Sequence, residues 1–169
     1  ETDVLAKQAG CGRTPWHFDD HHFPLDTNDV VTAWVPAQPI PLEMGPLTFA
    51  YPLDVHELVN AVTFEKTGTG YDRGVSDVFS KNNVSVNETP FELGEVSFHH
   101  NLNFHTASSN RTNRSRVALA NTYYRDGARV VNAPTMVSGD WQKFMPNVKP
   151  GDVAASPLNP ICWPVKDKS

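Results

Sequence analysis

The stretch TPWHFDDHHFPLD, residues 14–26, gathers three histidines and three aspartates beside a tryptophan and two phenylalanines. Within this stretch His17 and Asp19 are two positions apart. Residues with that spacing point to the same face of a β-strand, so a strand here would present an imidazole and a carboxylate together. Two ligands do not hold a metal, so a metal site here, as opposed to a solvated acidic turn or chance crowding, needs a third ligand from another part of the chain.

A third candidate ligand, His105, ends the segment GEVSFHHNLNFH at residues 94–105. His17, Asp19 and His105 have the composition of a two-His-one-carboxylate triad, which holds Fe(II) and leaves positions open for substrates. Arg116 follows eleven residues after His105. If a hairpin joins the two strands, the Arg116 guanidinium enters the same interior, where it can bind the distal carboxylate of a 2-oxo acid.

Each of these residues also has an ordinary interpretation. A lone His-x-Asp arises often by chance, His105 alone is typical of a core or surface histidine, and Arg116 alone of an exposed strand edge. The other histidines of the two segments are expected in a solvated loop or within a strand, with contact of His99 or His100 with the site as the lesser alternative: His21, His22, His99 and His100. The order and spacing of the whole set favour the metal site.

Length and composition exclude several classes of protein. The chain has 169 residues, 39% of them hydrophobic and 20% charged, as expected for one soluble globular domain. No apolar run is long enough to cross a membrane, and the net charge of −5 argues against nucleic-acid binding. The chain starts ETDVLAKQAG without a visible signal peptide, so the cytoplasm is the expected location and further sequence is expected before Glu1.

Short segments with turn signals between them predict an all-β sandwich or barrel. The predicted strands lie within residues 29–38, 41–52, 94–105 and 116–125. In the third of these, alternation puts Phe98 and His100 on one face and His99 and His105 on the other. Fourteen prolines and ten glycines leave no long helical period.

Three regions lie outside this strand pattern. Residues 54–62 predict a short helix, and the rest of 54–89 predicts a long loop that is a candidate lid. Residues 141–169 predict an irregular tail on the surface. Cys11 and Cys162 match no zinc spacing, and two free buried thiols are favoured over a disulfide.

Several quoted motifs together resemble the phytanoyl-CoA dioxygenase (PhyH) family of Fe(II)/2-oxoglutarate-dependent oxygenases. They are TPWHFDDHHFPLDTNDVVTAWVPAQ, MGPLTFAYPLDVH, GEVSFHHNLNFHTASSNRTNRSRVALANTYY and WQKFMPNVKPGDVAASPLNP. The resemblance covers nearly the whole chain. It implies a mainly β, cupin-like jelly roll, also called a double-stranded β-helix, with few short helices. It also implies a single domain, residues 1–169, that lacks the helical part that usually precedes the His-x-Asp segment.

The resemblance implies a role for particular residues. Fe(II) would be held by His17, Asp19 and His105, and the 2-oxoglutarate co-substrate would be bound by Arg116, Trp34 and either Thr106 or Ser108. The last two stand in for the family's Gly-Ser after the distal histidine, because this chain has Thr106-Ala107 there. Weaker expectations of substrate contact fall on Phe18, His22 and Phe104.

The implied reaction is hydroxylation of a small organic substrate by O2, with succinate and CO2 as co-products. Asp19 favours hydroxylation, since related halogenases replace this carboxylate with a small residue. The substrate is open, an acyl-CoA being one candidate, and so is the oligomeric state. The alternatives are a non-catalytic jelly roll with a vestigial metal site, another oxidation such as desaturation or cyclisation, and a zinc hydrolase, which would leave Arg116 without a task.

Overall fold

The computed structural model describes residues 2–64, 69–134 and 138–163. These residues form eight strands, which account for most of the regular structure. The strands are β1 (Thr2–Lys7), β2 (Thr14–His17), β3 (Val30–Pro36), β4 (Leu47–Tyr51), β5 (Ser85–Glu88), β6 (Ser97–His100), β7 (His105–Ala107) and β8 (Arg116–Tyr124). Every pairing between them is antiparallel.

The strands form two four-stranded sheets, in the orders β1-β8-β3-β6 and β2-β7-β4-β5. This is the expected mainly β jelly roll, with the candidate site between its two sheets. β3 and β8 lie within the predicted segments 29–38 and 116–125. Their β-branched and aromatic residues suit a half-buried pleated surface.

The predicted hairpin between His105 and Arg116 is wrong. His105 begins β7 in one sheet, whereas Arg116 begins β8 in the other sheet. The connecting residues therefore cross from sheet to sheet. Arg116 is nevertheless buried, on the strand that lies between β1 and β3 in its sheet.

The predicted strand at residues 94–105 is also wrong in part, since it divides into β6 and β7, which belong to different sheets. The break falls at residues 101–104, where the Asn101 carbonyl accepts hydrogen bonds from the backbone of residues 19 and 20. The predicted apolar face is reversed in β6, because Phe98 is 67% exposed while His99 is buried.

The prediction of a long loop within residues 54–89 is wrong in part, because a second helix and a strand lie there. The short helix α1 (Val55–Leu58) matches expectation, but α2 (Gly70–Asn82) and β5 occupy most of the supposed loop. The apolar face of α2 carries Tyr71, Val75 and Phe79 and packs against β2 and β4 in a core cluster with Phe104. Residues 65–68 lie outside the described residues.

Two further core clusters flank the cavity. One fills the space between the sheets around Trp34, Ile40, Phe49 and Phe91. The other is built largely by the C-terminal tail, which has a short 3-10 helix at Trp141–Lys143 and is otherwise irregular. The described part of the tail is thus partly internal, contrary to the surface position expected for it, and residues 164–169 lie outside the described residues.

The structure also describes the two cysteines and bears on membrane-spanning helices. Cys11 and Cys162 are both free, as favoured, but both are exposed and not buried. Within the described ranges, no helix is long and apolar enough to cross a membrane.

Candidate active site

The two candidate ligands of the opening motif come from a strand end and a helix start. β2 ends at His17, Phe18 is extended, and Asp19 begins a 3-10 helix, Asp19–His22. The premise that both lie on one strand is therefore wrong. The turn is fixed instead by Asn101, whose carbonyl accepts the N–H of Asp19 at 2.8 Å and of Asp20 at 3.1 Å, while its side chain donates to the Asp20 carboxylate.

His105 meets this motif through the pairing of β2 with β7. His17 and His105 are register partners, and their ring centroids are 4.2 Å apart. Asp19 Oδ1 lies 3.5 Å from His17 Nε2 and 3.7 Å from His105 Nε2. One ligand atom from each of the three residues falls within 4.8 Å of the others, which makes them a candidate metal site.

Both imidazoles are oriented by the backbone. His17 Nδ1 lies 2.8 Å from the Pro15 carbonyl and His105 Nδ1 lies 2.9 Å from the Asn103 carbonyl. A proton on Nδ1 that is donated to a carbonyl leaves the Nε2 lone pair free, and this tautomer is assigned from the hydrogen bonding. This is how metal-binding histidines are commonly held.

The charge states of His105 and Asp19 suit a cation. Burial and, after it, the proximity of His17 lower the pKa of His105 to about 4, so this imidazole is neutral near pH 7. Burial alone would raise the pKa of Asp19, but the contact with His99 and the proximity of His105 hold it well below its usual range. A neutral imidazole and an ionised carboxylate are the forms in which these two residues bind a metal.

The three residues open into a cavity of about 620 Å³ between the sheets. Polar side chains line the cavity at the candidate metal site, and cationic side chains line it from β1 and β8. Apolar side chains line it from residues 23–24 and the tail. The lining residues include His17, Asp19, His99, His105, Lys7, Arg116, Trp34, Phe23, Trp141, Phe144 and Met145.

Arg116 fits an anion in this cavity. Its side chain is 6% exposed, one terminal nitrogen donates to the Gly45 carbonyl, and its Nε has no hydrogen-bond partner among the described residues. The Trp34 ring lies 5.4 Å from the guanidinium carbon, and its Nε1 likewise has no partner in the described part of the chain. Buried donors are normally paired, so two unpaired donors on one cavity wall suit an anionic ligand such as a carboxylate.

The other residues expected at the site differ in position. Thr106 and His22 line the cavity, although the Thr106 hydroxyl donates to the Thr14 carbonyl. Ser108 donates to Glu88 at 2.9 Å and is not among the lining residues. Phe18 and Phe104 are also not among them, and Phe104 is fully buried against Trp16 and Phe79.

Two polar residues at the cavity were missed from the sequence. Lys7 is the register partner of Arg116, is buried, and points to the cavity with its Nζ 3.2 Å from the Ala107 carbonyl. His99, for which a strand position was favoured over contact with the site, lies 3.6 Å from Asp19 through its Nε2. Their position depends on sheet register, which no local pattern in the sequence reveals.

Solved structures of two enzymes share this fold. The non-heme alpha ketoglutarate dependent carbocyclase SnoK from nogalamycin biosynthesis is 24% identical with a TM-score of 0.69, over 93% of this chain and 58% of that one. The epimerase SnoN is 21% identical with a TM-score of 0.69, over 94% and 60%. Its complex with Fe3+, alpha ketoglutarate and nogalamycin RO aligns at 25% identity and a TM-score of 0.57, over 77% and 50%.

The chain is shorter than the solved structures that it resembles, and it matches a family model. The chain spans about three fifths of the length of SnoK and SnoN. No curated protein matches it. The model of the phytanoyl-CoA dioxygenase (PhyH) family matches residues 1–118, well over half of the chain. The chain therefore belongs to the PhyH family of iron- and 2-oxoglutarate-dependent oxygenases.

Proposed function

We propose that this chain is a non-haem Fe(II)/2-oxoglutarate-dependent dioxygenase that hydroxylates a small organic molecule and releases succinate and CO2. One observation carries the proposal: the triad His17, Asp19 and His105 opens into the same cavity as the buried, incompletely paired guanidinium of Arg116. A 2-oxo diacid matches both ends of this arrangement, because one carboxylate reaches the metal side and the other meets a cation.

Each residue has a defined task in this reaction. His17, Asp19 and His105 would hold Fe(II), which when bound supplies the activation of O2 coupled to oxidative decarboxylation of the co-substrate. Arg116 orients the co-substrate through its distal carboxylate, and Trp34 packs beside that guanidinium. The site lies between two sheets, where the buried wall excludes water from the reacting groups.

The wall of the cavity supports a small substrate with an apolar face. Phe23, Trp141, Phe144 and Met145 all line it, and aromatic side chains pack well against flat apolar rings. The SnoN complex with nogalamycin RO supports a small-molecule substrate as well. Two arginines close to the site in sequence, Arg111 and Arg114, could bind a phosphate of CoA, but both are exposed and do not line the cavity. An acyl-CoA substrate therefore stays a prediction that these arginines do not support.

A second outcome of the same chemistry is favoured by a specific comparison. SnoN is an epimerase, and its complex holds Fe3+ and alpha ketoglutarate. Epimerisation or ring closure would use the same ligands, because the pose of the substrate over the metal decides what happens after hydrogen abstraction. Mass analysis of the product distinguishes the three outcomes: hydroxylation adds one oxygen atom, ring closure removes two hydrogen atoms, and epimerisation leaves the substrate mass unchanged.

The vestigial and hydrolytic alternatives have less support. A vestigial site is expected to lose a ligand or Arg116, and all four residues are present. A zinc hydrolase has no use for a buried guanidinium with an unpaired donor on the wall of the same cavity.

The co-substrate role of Arg116 is tested by anaerobic titration of Fe(II)-loaded protein with 2-oxoglutarate. The readout is the weak visible charge-transfer band of the complex, measured in wild type and in Arg116→Ala. We expect the band in wild type and a co-substrate affinity lower by about 100-fold in the variant, since a charged hydrogen-bond partner contributes about 2–3 kcal/mol.

Arg125→Ala is the matched control for this titration. Arg125 is exposed and pairs with Asp29, so its loss should leave the affinity unchanged. Iron binding without a charge-transfer band in wild type would refute the 2-oxoglutarate role. Equal affinities for wild type and Arg116→Ala would refute the role of Arg116.

A further inference from the structure

His99 is a buried histidine beside the triad that the proposed reaction does not use. It lies on β6 opposite Thr32 of β3, on the inward face of the sheet, and is 6% exposed. Its ring centroid is 5.0 Å from that of His105 and 5.4 Å from that of Phe49. β6 belongs to the sheet opposite the two histidine ligands, so His99 approaches Asp19 from the other wall.

The polar surroundings of His99 point to a single partner. Its Nε2 lies 3.6 Å from Asp19 Oδ2, and its Nδ1 has no hydrogen-bond partner in the described part of the chain. Burying a polar group without a partner costs free energy, and an apolar side chain would pack here at lower cost. Packing alone therefore does not explain an imidazole at this position, whereas a role at Asp19 does.

The two oxygens of Asp19 face different partners. Oδ1 lies 3.5 Å from His17 Nε2 and 3.7 Å from His105 Nε2, which makes it the oxygen on the metal side. Oδ2 faces His99. A separation of 3.6 Å is just beyond a hydrogen bond, and a small side-chain rotation brings the imidazole N–H within reach.

We infer that His99 is a positioning residue that holds Asp19 Oδ2 away from the metal, so that Asp19 binds Fe(II) through Oδ1 alone. The inference rests on the proposed function, because it assigns His99 to the same iron site. A carboxylate can bind a metal through one oxygen or two. With two, Asp19 would occupy a coordination position that the co-substrate and O2 need.

The inference makes a prediction about metal binding that does not depend on turnover. Partners that hydrogen-bond to a metal ligand typically contribute 10–100-fold to metal affinity. His99→Met removes the donor and keeps similar bulk, so we expect Co(II) affinity to fall by about that factor. His99→Gln places an amide N–H near the position of Nε2, and we expect its affinity to stay within about threefold of wild type.

The experiment is anaerobic calorimetry of apo-protein with Co(II), together with the visible spectrum of the loaded protein. The spectrum reports coordination number, so a second Asp19 oxygen on the metal changes it in His99→Met and not in His99→Gln. His100→Met is the matched control, since His100 is adjacent on β6 and does not line the cavity. If His99→Met does not fold, His99→Asn replaces it, because its amide is one bond too short to reach Oδ2.

The outcomes separate this inference from the proposed function. Tight Co(II) binding by wild type with equal affinity and spectrum in His99→Met refutes the role of His99 and leaves the iron site standing. Weakening in both His99→Met and His99→Gln also refutes it, because the donor would then not be what matters. Absence of Co(II) binding in wild type refutes both proposals.

Discussion

Lys7 and Arg116 bring two cationic side chains to one wall of the cavity. They are register partners in the β1–β8 pair, and both are buried. Burial and, after it, the charge of Arg116 lower the pKa of Lys7 to about 8. Arg116 stays charged at any ordinary pH. A carboxylate at this wall therefore meets two positive charges below pH 8 and one above it.

Lys7 should accordingly make co-substrate affinity depend on pH. The ammonium is present below its pKa of about 8 and is lost as the pH rises through that value. We expect the dissociation constant of 2-oxoglutarate, measured anaerobically with Fe(II), to rise roughly tenfold between pH 7 and 9 in wild type. Lys7→Met should bind more weakly at pH 7 and show a flat profile.

The control for this profile is Lys143→Met. Lys143 is exposed and pairs with Asp140 at the surface, so the wild-type slope should persist in that variant. A Lys7→Met variant with the same slope as wild type would show that another group causes the pH dependence.

At the scale of elements, the sequence predicted those whose pattern is local. β3 and β8 contain β-branched and aromatic residues, and α1 matches the predicted short helix. The helix α2 was missed because its two glycines and polar residues obscure the spacing of Tyr71, Val75 and Phe79 along one face. The break between β6 and β7 was missed because it depends on Asn101, whose partner Asp20 is 81 positions away.

The site was predictable to the same extent. Residue type and order alone predicted a candidate site of His17, Asp19, His105 and Arg116, and the structure gathers these residues at one cavity. Lys7 could not be identified and contact of His99 with the site was only the lesser alternative, because strand pairing alone places Lys7 opposite Arg116 and His99 beside Asp19. Sheet register is set by tertiary packing.

Gly45 lies in the turn before β4 and contacts Arg116 on the cavity wall. It has φ +72°, and a Cβ added there would collide with the carbonyl of Ser108. Its own carbonyl accepts the hydrogen bond from Arg116. A side chain at this position therefore has to displace a backbone segment that orients the guanidinium.

We expect Gly45→Ala to destabilise the protein and to weaken 2-oxoglutarate binding. A non-glycine residue in this backbone region costs about 1–3 kcal/mol by itself, and the collision adds to that cost. Gly127→Ala is the matched control, since Gly127 has φ +82° but nothing within 4 Å of the added Cβ. Chemical denaturation should show a larger loss for Gly45→Ala, and equal losses would contradict the collision.

At the scale of the whole molecule, the cavity draws on both sheets and the tail. His17 and His105 come from the β2-β7-β4-β5 sheet, while Arg116 and Trp34 come from the other. Trp141 and Met145 reach the same cavity from the C-terminal segment. Because separate elements must be in place before the ligand set exists, a metal binds the folded chain and not the unfolded one.

Metal binding should therefore raise the thermal stability of the entire domain. A ligand at 100 times its dissociation constant contributes about 2.7 kcal/mol to folding, and at this chain length each kcal/mol raises the melting temperature by about 2–4 °C. We expect calorimetric melting to shift upward by about 5–10 °C with saturating Co(II). Asp19→Asn should abolish the shift, while Asp77→Asn, on the exposed side of α2, should preserve it. A shift that survives in Asp19→Asn would mean that the metal binds elsewhere, and the triad would lose its assignment.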